Sequence, residues 1–101
     1  MAPRLELQAL LVSILGSENV YFQPPPTIQL KYPCIVYERS GEDTEFADDR
    51  PYKSMRKYSL THIDRDPDSE VPSRIAALPM CVFDRYFAAD NLNHDVYNIF
   101  F

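Results

Sequence analysis

Carboxylates recur at every second position through Asp64, Asp66, Asp68 and Glu70, which is how a calcium loop opens its set of oxygen ligands. The pattern breaks where calcium chemistry needs it most. Counting from Asp64, the sixth position is Ser69 instead of glycine, and the twelfth is Ile75 where a bidentate carboxylate is required. A turn and helix start, with carboxylates near the positive end of a helix dipole, is the simpler use of these residues. His62 with Asp64, and His94 with Asp95, offer an imidazole and a carboxylate, and Cys34 or Cys81 a thiol nucleophile. Proximity in sequence does not make these a site, because adjacent strand residues point to opposite faces. The chain holds no glycine-rich phosphate loop, nucleophile elbow or metal-ligand cluster. The expectation is a protein that is not an enzyme and takes neither metal nor cofactor, with His94 pinning a turn and His62 at the edge of a core.

The elements that would position these residues follow from periodicity. Tyr58, Leu60 and His62 alternate with Ser59, Thr61 and Ile63, a strand with one face against a core. Arg65-Asp66-Pro67-Asp68-Ser69 turns the chain out of the sheet. Pro72 suits the first turn of a short helix in which Ile75 and Leu78 share a face, and Pro79 ends it. Upstream, Leu7, Leu10, Leu11, Ile14 and Leu15 stripe a helix over residues 3–16 that Gly16 terminates, with Leu5 and Val12 widening the stripe. Residues 18–23 resemble the recognition sequence of a potyviral protease. Pro24 after Gln23 would obstruct cleavage, so Asn19 to Gln23 reads as a native extended segment feeding the stiff Pro24-Pro25-Pro26 arm.

Residues 27–39 read as a long first strand, apolar on both faces around Pro33 to Tyr37, with Pro33 marking a bulge or bend. Ser40 to Tyr52 reads as a long connection carrying Glu42, Asp43, Glu45, Asp48 and Asp49 against Arg50 alone, followed at once by Lys53, Arg56 and Lys57. Residues 81–88 and 93–101 read as a hairpin with aromatic residues on both faces, closed by Ala89-Asp90-Asn91-Leu92. The expected fold is a single small α+β domain over residues 1–101. It comprises an N-terminal helix (1–16), a Pro-rich arm (17–26), and a mainly antiparallel four-stranded sheet with a second helix (27–101), with a long acidic loop between the first two strands.

A chain of 101 residues buries roughly two-thirds of its unfolded surface, enough for one core without metal or disulfide staples. Nine prolines against two glycines make its loops stiff, a property that suits a surface shaped in advance for a partner. The formal charge of −5 argues against a protein that grips nucleic acid through its phosphates, but not against one past which DNA slides. The aromatic residues therefore read as core and interface packing instead of a base-stacking platform. Cys34 and Cys81 read as free buried thiols in a reducing compartment. The longest apolar stretch, Leu5 to Leu15, is interrupted by Glu6, Gln8 and Ser13, too short to span a bilayer and without a signal-peptide cleavage site after it. The expectation is a protein intracellular when made, with no membrane partner.

Five runs in fixed order carry a resemblance: NVYFQPP (19–25), YPCIVYERSG (32–41), FADDRPY (46–52), IDRDPDS (63–69) and ALPMCVFDRYFAADNLNHDVYNIFF (77–101). From Tyr32 to Phe101 the chain resembles the small tail terminator proteins of long-tailed bacteriophages, also called tail completion or minor capsid proteins. The resemblance implies a compact α+β fold and a homo-oligomeric ring, usually of six. That ring caps the head-proximal end of the tail tube, stops its polymerisation, and presents a surface to the head connector. Its partners would be further copies of itself, the tail tube protein and the connector or stopper protein, with DNA passing through unread. Its place would be the virion, with the host cytoplasm as the site of assembly. Glu42, Asp43, Glu45, Asp48, Asp49, Arg50, Lys53, Arg56 and Lys57 are the residues expected between subunits or along the lumen. Two other functions fit the residues: a head-to-tail adaptor or stopper, and a monomeric module whose acidic loop binds a basic partner.

Overall fold

The computed structural model describes the backbone of residues 3–47 and 50–101 and the side chains of residues 4–41 and 56–101. The chain runs α1 (Pro3–Leu15), β1 (Val20–Phe22), β2 (Cys34–Ala47), β3 (Arg50–Asp64), α2 (Val71–Ala76), β4 (Cys81–Ala89) and β5 (Leu92–Phe100). These form one small α+β domain with a mixed five-stranded sheet ordered β1-β2-β3-β5-β4. The expected sheet had four strands. The fifth is β1, three residues that pair in parallel with β2, Val20 beside Ile35 and Phe22 beside Tyr37. So short a strand has no period-two pattern of its own, and it exists because β2 offers it a ladder.

Both helices lie on one face of the sheet. Leu7 and Leu11 of α1 and Ile75 of α2 share a core with Val20, Ile35, Tyr37, Tyr58, Leu60, Tyr97 and Ile99. Polar contacts fix how α1 sits: the buried Tyr37 hydroxyl donates to Gln8 Oε1 and accepts from Arg4, while Gln8 Nε2 donates to the Val20 carbonyl. Gly16 ends α1 at φ +75, its amide donating to the Val12 carbonyl at 2.8 Å, as its lack of a side chain allows. Pro72 sits in the first turn of α2, whose terminus is tied to β5 by Tyr97 Oη donating to the Pro72 carbonyl.

A smaller cluster covers the opposite face: Cys34, Ile63 and Leu92, with Tyr21, Leu30, Tyr32 and Val36 against it. The strand expected over residues 27–39 begins only at Cys34, because the preceding segment is not sheet; it lays Leu30 and Tyr32 over that face instead. The two apolar faces around Pro33 to Tyr37 are thus covered by this chain itself, one by α1 and the other by the 24–33 segment.

The acidic connection expected over residues 40–52 is corrected most. β2 runs on to Ala47 and β3 begins at Arg50, paired antiparallel throughout, with register shifts between Arg39 and Gly41 and between Glu45 and Phe46. Charged residues supply no apolar alternation, so period-two reading misses a ribbon whose partners are cross-strand neighbours. Asp48 and Asp49 lie outside the described residues. At the other end the β4–β5 hairpin turns through Asp90 and Asn91, both at positive φ (53 and 61). Two such residues make the primed two-residue turn whose twist matches its strands, and Asp-Asn tolerates it.

Candidate assembly surfaces

The chemistry foreshadowed by the sequence does not converge. Asp64 and Asp66 each accept a backbone amide two residues on, Asp66 N and Asp68 N, both at 2.9 Å. They shape the turn before α2, where Ser69 Oγ also accepts from Val71 N. His94 stacks on Phe87 with centroids 4.5 Å apart and sets Nδ1 3.2 Å from the Leu92 carbonyl at the hairpin turn. Cys34 and His62 stand on opposite faces, since Cys34 pairs with Ile63 whereas His62 pairs with Ile35. Burial, reinforced by Asp64, pushes the Cys34 thiol up to about 11, and burial likewise raises Cys81. Both cysteines are free, and neither is an activated nucleophile.

His62 is not at a core edge. Its side chain is 1% exposed, and neither ring nitrogen finds a hydrogen-bond partner. Asp64 Oδ2 stands 3.6 Å from Nε2 and Asp95 Oδ2 stands 4.0 Å from Nδ1. Burial lowers the imidazole pKa against the opposing pull of Asp64 and Asp95. The carboxylates lie on opposite ring nitrogens, so one ion cannot bind all three groups. Among the described residues no group of His, Cys, Asp and Glu could hold a metal. No helix there is long and apolar enough to cross a membrane.

Two features of the described residues stand apart from the core. The first is the ribbon. β5 pairs with β3 from Lys57 onward, its last contact being the Phe101 amide donating to the Arg56 carbonyl, and β1 reaches β2 at residues 35–37, so among the described residues the strand segments Gly41–Ala47 and Arg50–Met55 are laddered only to each other. At about 3.4 Å per residue the ribbon projects roughly 20–25 Å, in keeping with a molecule extending 51 Å by 24 by 23 Å. Isolated two-stranded ribbons are marginal in water. Its register sets Glu42 across from Arg56, Glu45 across from Lys53, Ala47 across from Arg50 and Gly41 across from Lys57. Of the residues singled out from the sequence, Glu42, Asp43 and Glu45 thus lie on one strand and Arg50, Lys53, Arg56 and Lys57 on the other, while Asp48 and Asp49 lie outside the described residues.

The second feature is the outer strand β4. From Val82 to Ala89 every residue is exposed, including Val82 (62%), Phe83 (52%), Tyr86 (54%) and Phe87 (41%), with Met80 just before them. Sequence reading found aromatic residues on both faces of this hairpin but not that β4 is an edge; apolar residues on both faces without a covering segment nearby were the available signal. No protein-family model and no curated protein matches the chain.

Proposed function

We propose that the protein is a structural part of a phage virion: a tail terminator whose copies close into a ring, six in number, at the head-proximal end of the tail tube. The ring stops tube growth and meets the head connector. The five runs between Asn19 and Phe101 that resemble this family support the assignment, and the observation that carries it structurally is the ribbon. An arm that projects well beyond its own sheet, with no other described strand beside it, gains stability by lying on a neighbour. Rings of like subunits are built from such contacts, in which one patch meets a different patch next door.

The residues 42–57 carry this reading. Glu42, Asp43, Glu45, Asp48, Asp49, Arg50, Lys53, Arg56 and Lys57 either reach the adjacent subunit or line the channel. Six copies at −5 each total about −30, a field that guides DNA without holding it. Changing Glu42, Asp43 and Glu45 together to lysine separates the two uses. A contact between subunits is lost and rings fail to form; a channel lining leaves rings intact and slows DNA ejection, most at low salt where screening is weak. Normal assembly together with unchanged ejection at low salt makes the ribbon a solvated spacer and removes both. A head-to-tail adaptor is the runner-up, distinguished by whether the protein binds the open end of tail tubes or the connector of the head.

A further inference from the structure

The outer edge of β4 is complementary to itself. β5 pairs with one side of β4, and no described strand lies on the other. The register between β4 and β5 skips Asp84, passing from Phe83 opposite Tyr97 to Arg85 opposite Val96. Asp84 and Arg85 therefore share one step of the ladder as a bulge, where their side chains pair at 2.8 Å. About this step the strand reads alike in both directions: Phe83 and Tyr86 flank it, then Val82 and Phe87, then Cys81 and Ala88. Faces match as well. Phe83 and Tyr86, opposite Tyr97 and Asp95, belong to the helix-bearing face; Val82, Arg85 and Phe87, opposite Asn98, Val96 and His94, belong to the other.

We propose that β4 pairs with β4 of a second copy, antiparallel about a two-fold axis through the Asp84–Arg85 step, so that two sheets become one. Each Asp84 then meets the second copy's Arg85 at the bulge, Phe83 lies across from Tyr86, and Val82 across from Phe87, each flanking pair on a common face. Charge selects this register. Sliding by one residue sets Asp84 against Asp84 or Arg85 against Arg85, and sliding by two sets both charges against apolar residues. Opposite charges and aromatic pairs placed directly across strands stabilise, and like charges oppose. A two-fold contact is closed, so it covers the apolar edge without propagating into fibres. The pairing neither needs nor excludes a ring, which would use other surfaces.

Sedimentation equilibrium of the full chain over a concentration series tests it. In the absence of tail tubes, where no ring is templated, the wild type should be a dimer. Asp84→Arg places two guanidiniums at the axis of each copy and Arg85→Asp two carboxylates, so each variant alone should dissociate with a Kd raised about tenfold or more. An equimolar mixture should recover the wild-type Kd, because the doubly basic strand meets the doubly acidic one. Such rescue in trans cannot come from the lost Asp84–Arg85 pair within a chain. Ala88→Cys reports the register: with oxidised glutathione it should link to the second copy's Cys81, since directly opposed residues sit about 4.5–5.5 Å apart at Cα, within disulfide reach. A monomeric wild type, single variants that dimerise normally, or a mixture no tighter than its components would overturn the proposal, leaving the bulge and its charges as a guard against edge pairing. Hexamers that never form the Cys81 link would overturn it too, while supporting the ring.

Discussion

Replacing His62 by leucine should reverse part of the protein's response to acid. The imidazole is buried with both nitrogens unpartnered and its carboxylate neighbours at 3.6 and 4.0 Å, beyond a good hydrogen bond. Burial lowers its pKa in the folded state, whereas the unfolded chain takes up the proton near pH 6.5. A depressed folded pKa on a base means that the unfolded state binds more protons across the interval between the two values. Stability contributed by the neutral form is therefore whole above pH 6.5 or so and is lost as pH falls toward the folded value. One proton limits the slope to about 1.4 kcal/mol per pH unit. Carboxylates titrate in both proteins, so the useful quantity is the difference in unfolding free energy between wild type and His62→Leu, measured by urea denaturation from pH 7.5 to pH 5. That difference should be flat above about pH 7 and then move in favour of the variant with a slope approaching the one-proton limit. Imidazole NMR shifts should place the folded pKa below 6.5. A difference that grows in favour of the wild type on acidification would show that Asp64 and Asp95 hold an imidazolium between them, and that His62 is not buried neutral.

Ile75→Ala should cost about 3 kcal/mol, because Ile75 is the buried anchor of a helix only six residues long; a Tm drop of roughly 10–20 °C is expected, and one under a few degrees would mean α2 is not held by its core contact. Tyr37→Phe should cost about 1–2 kcal/mol, read by thermal unfolding, by removing the hydroxyl that joins Gln8 and Arg4 to β2. Cys34 should resist iodoacetamide at pH 8 until the protein unfolds, since burial and Asp64 hold its thiol up near 11; labelling at the rate of a free thiol would contradict its placement. Asp66→Asn with Asp68→Asn should leave Tm unresponsive to added calcium in parent and variant alike, the missing loop ligands at Ser69 and Ile75 being the reason; a parent stabilised by several degrees would contradict it.

Apolar alternation made the strand before Asp64 and the terminal hairpin readable, and Asp90-Asn91 marked the primed turn between strands. The paired arm between Arg39 and Lys57 was not readable in the same way. Its first half is mainly acidic and its second mainly basic, with Phe46, Tyr52 and Met55 too sparse for an alternation, and the feature that makes it a ribbon is a cross-strand register, visible only once Glu42 is known to lie opposite Arg56. β1 was legible only as part of an extended segment, because three residues carry no period, and the start of β2 was misplaced because Ile28, Leu30 and Tyr32 mimic a strand while Leu30 and Tyr32 serve as a cover and Ile28 is exposed. At the candidate surfaces, the charges of residues 42–57 were legible as a group but their pairing was not. The exposure of Phe83, Tyr86 and Phe87 depends on β4 lying at the sheet's edge, and strand order is not written in local sequence. His62 shows the same limit: alternation gave its face, but its enclosure comes from the strands beside it, which bring Ile35 and Asp95 alongside.

Copies of this chain are proposed to cap one end of a tail tube. Purified protein, gold-labelled at an added surface tag and mixed with tail tubes assembled without a terminator, would be viewed by negative-stain electron microscopy. Label at a single end of each tube, a ring in end-on views, and tubes that no longer lengthen when tube protein is added are the expected result. Unlabelled ends, or label scattered along the tubes with elongation unchanged, would contradict it.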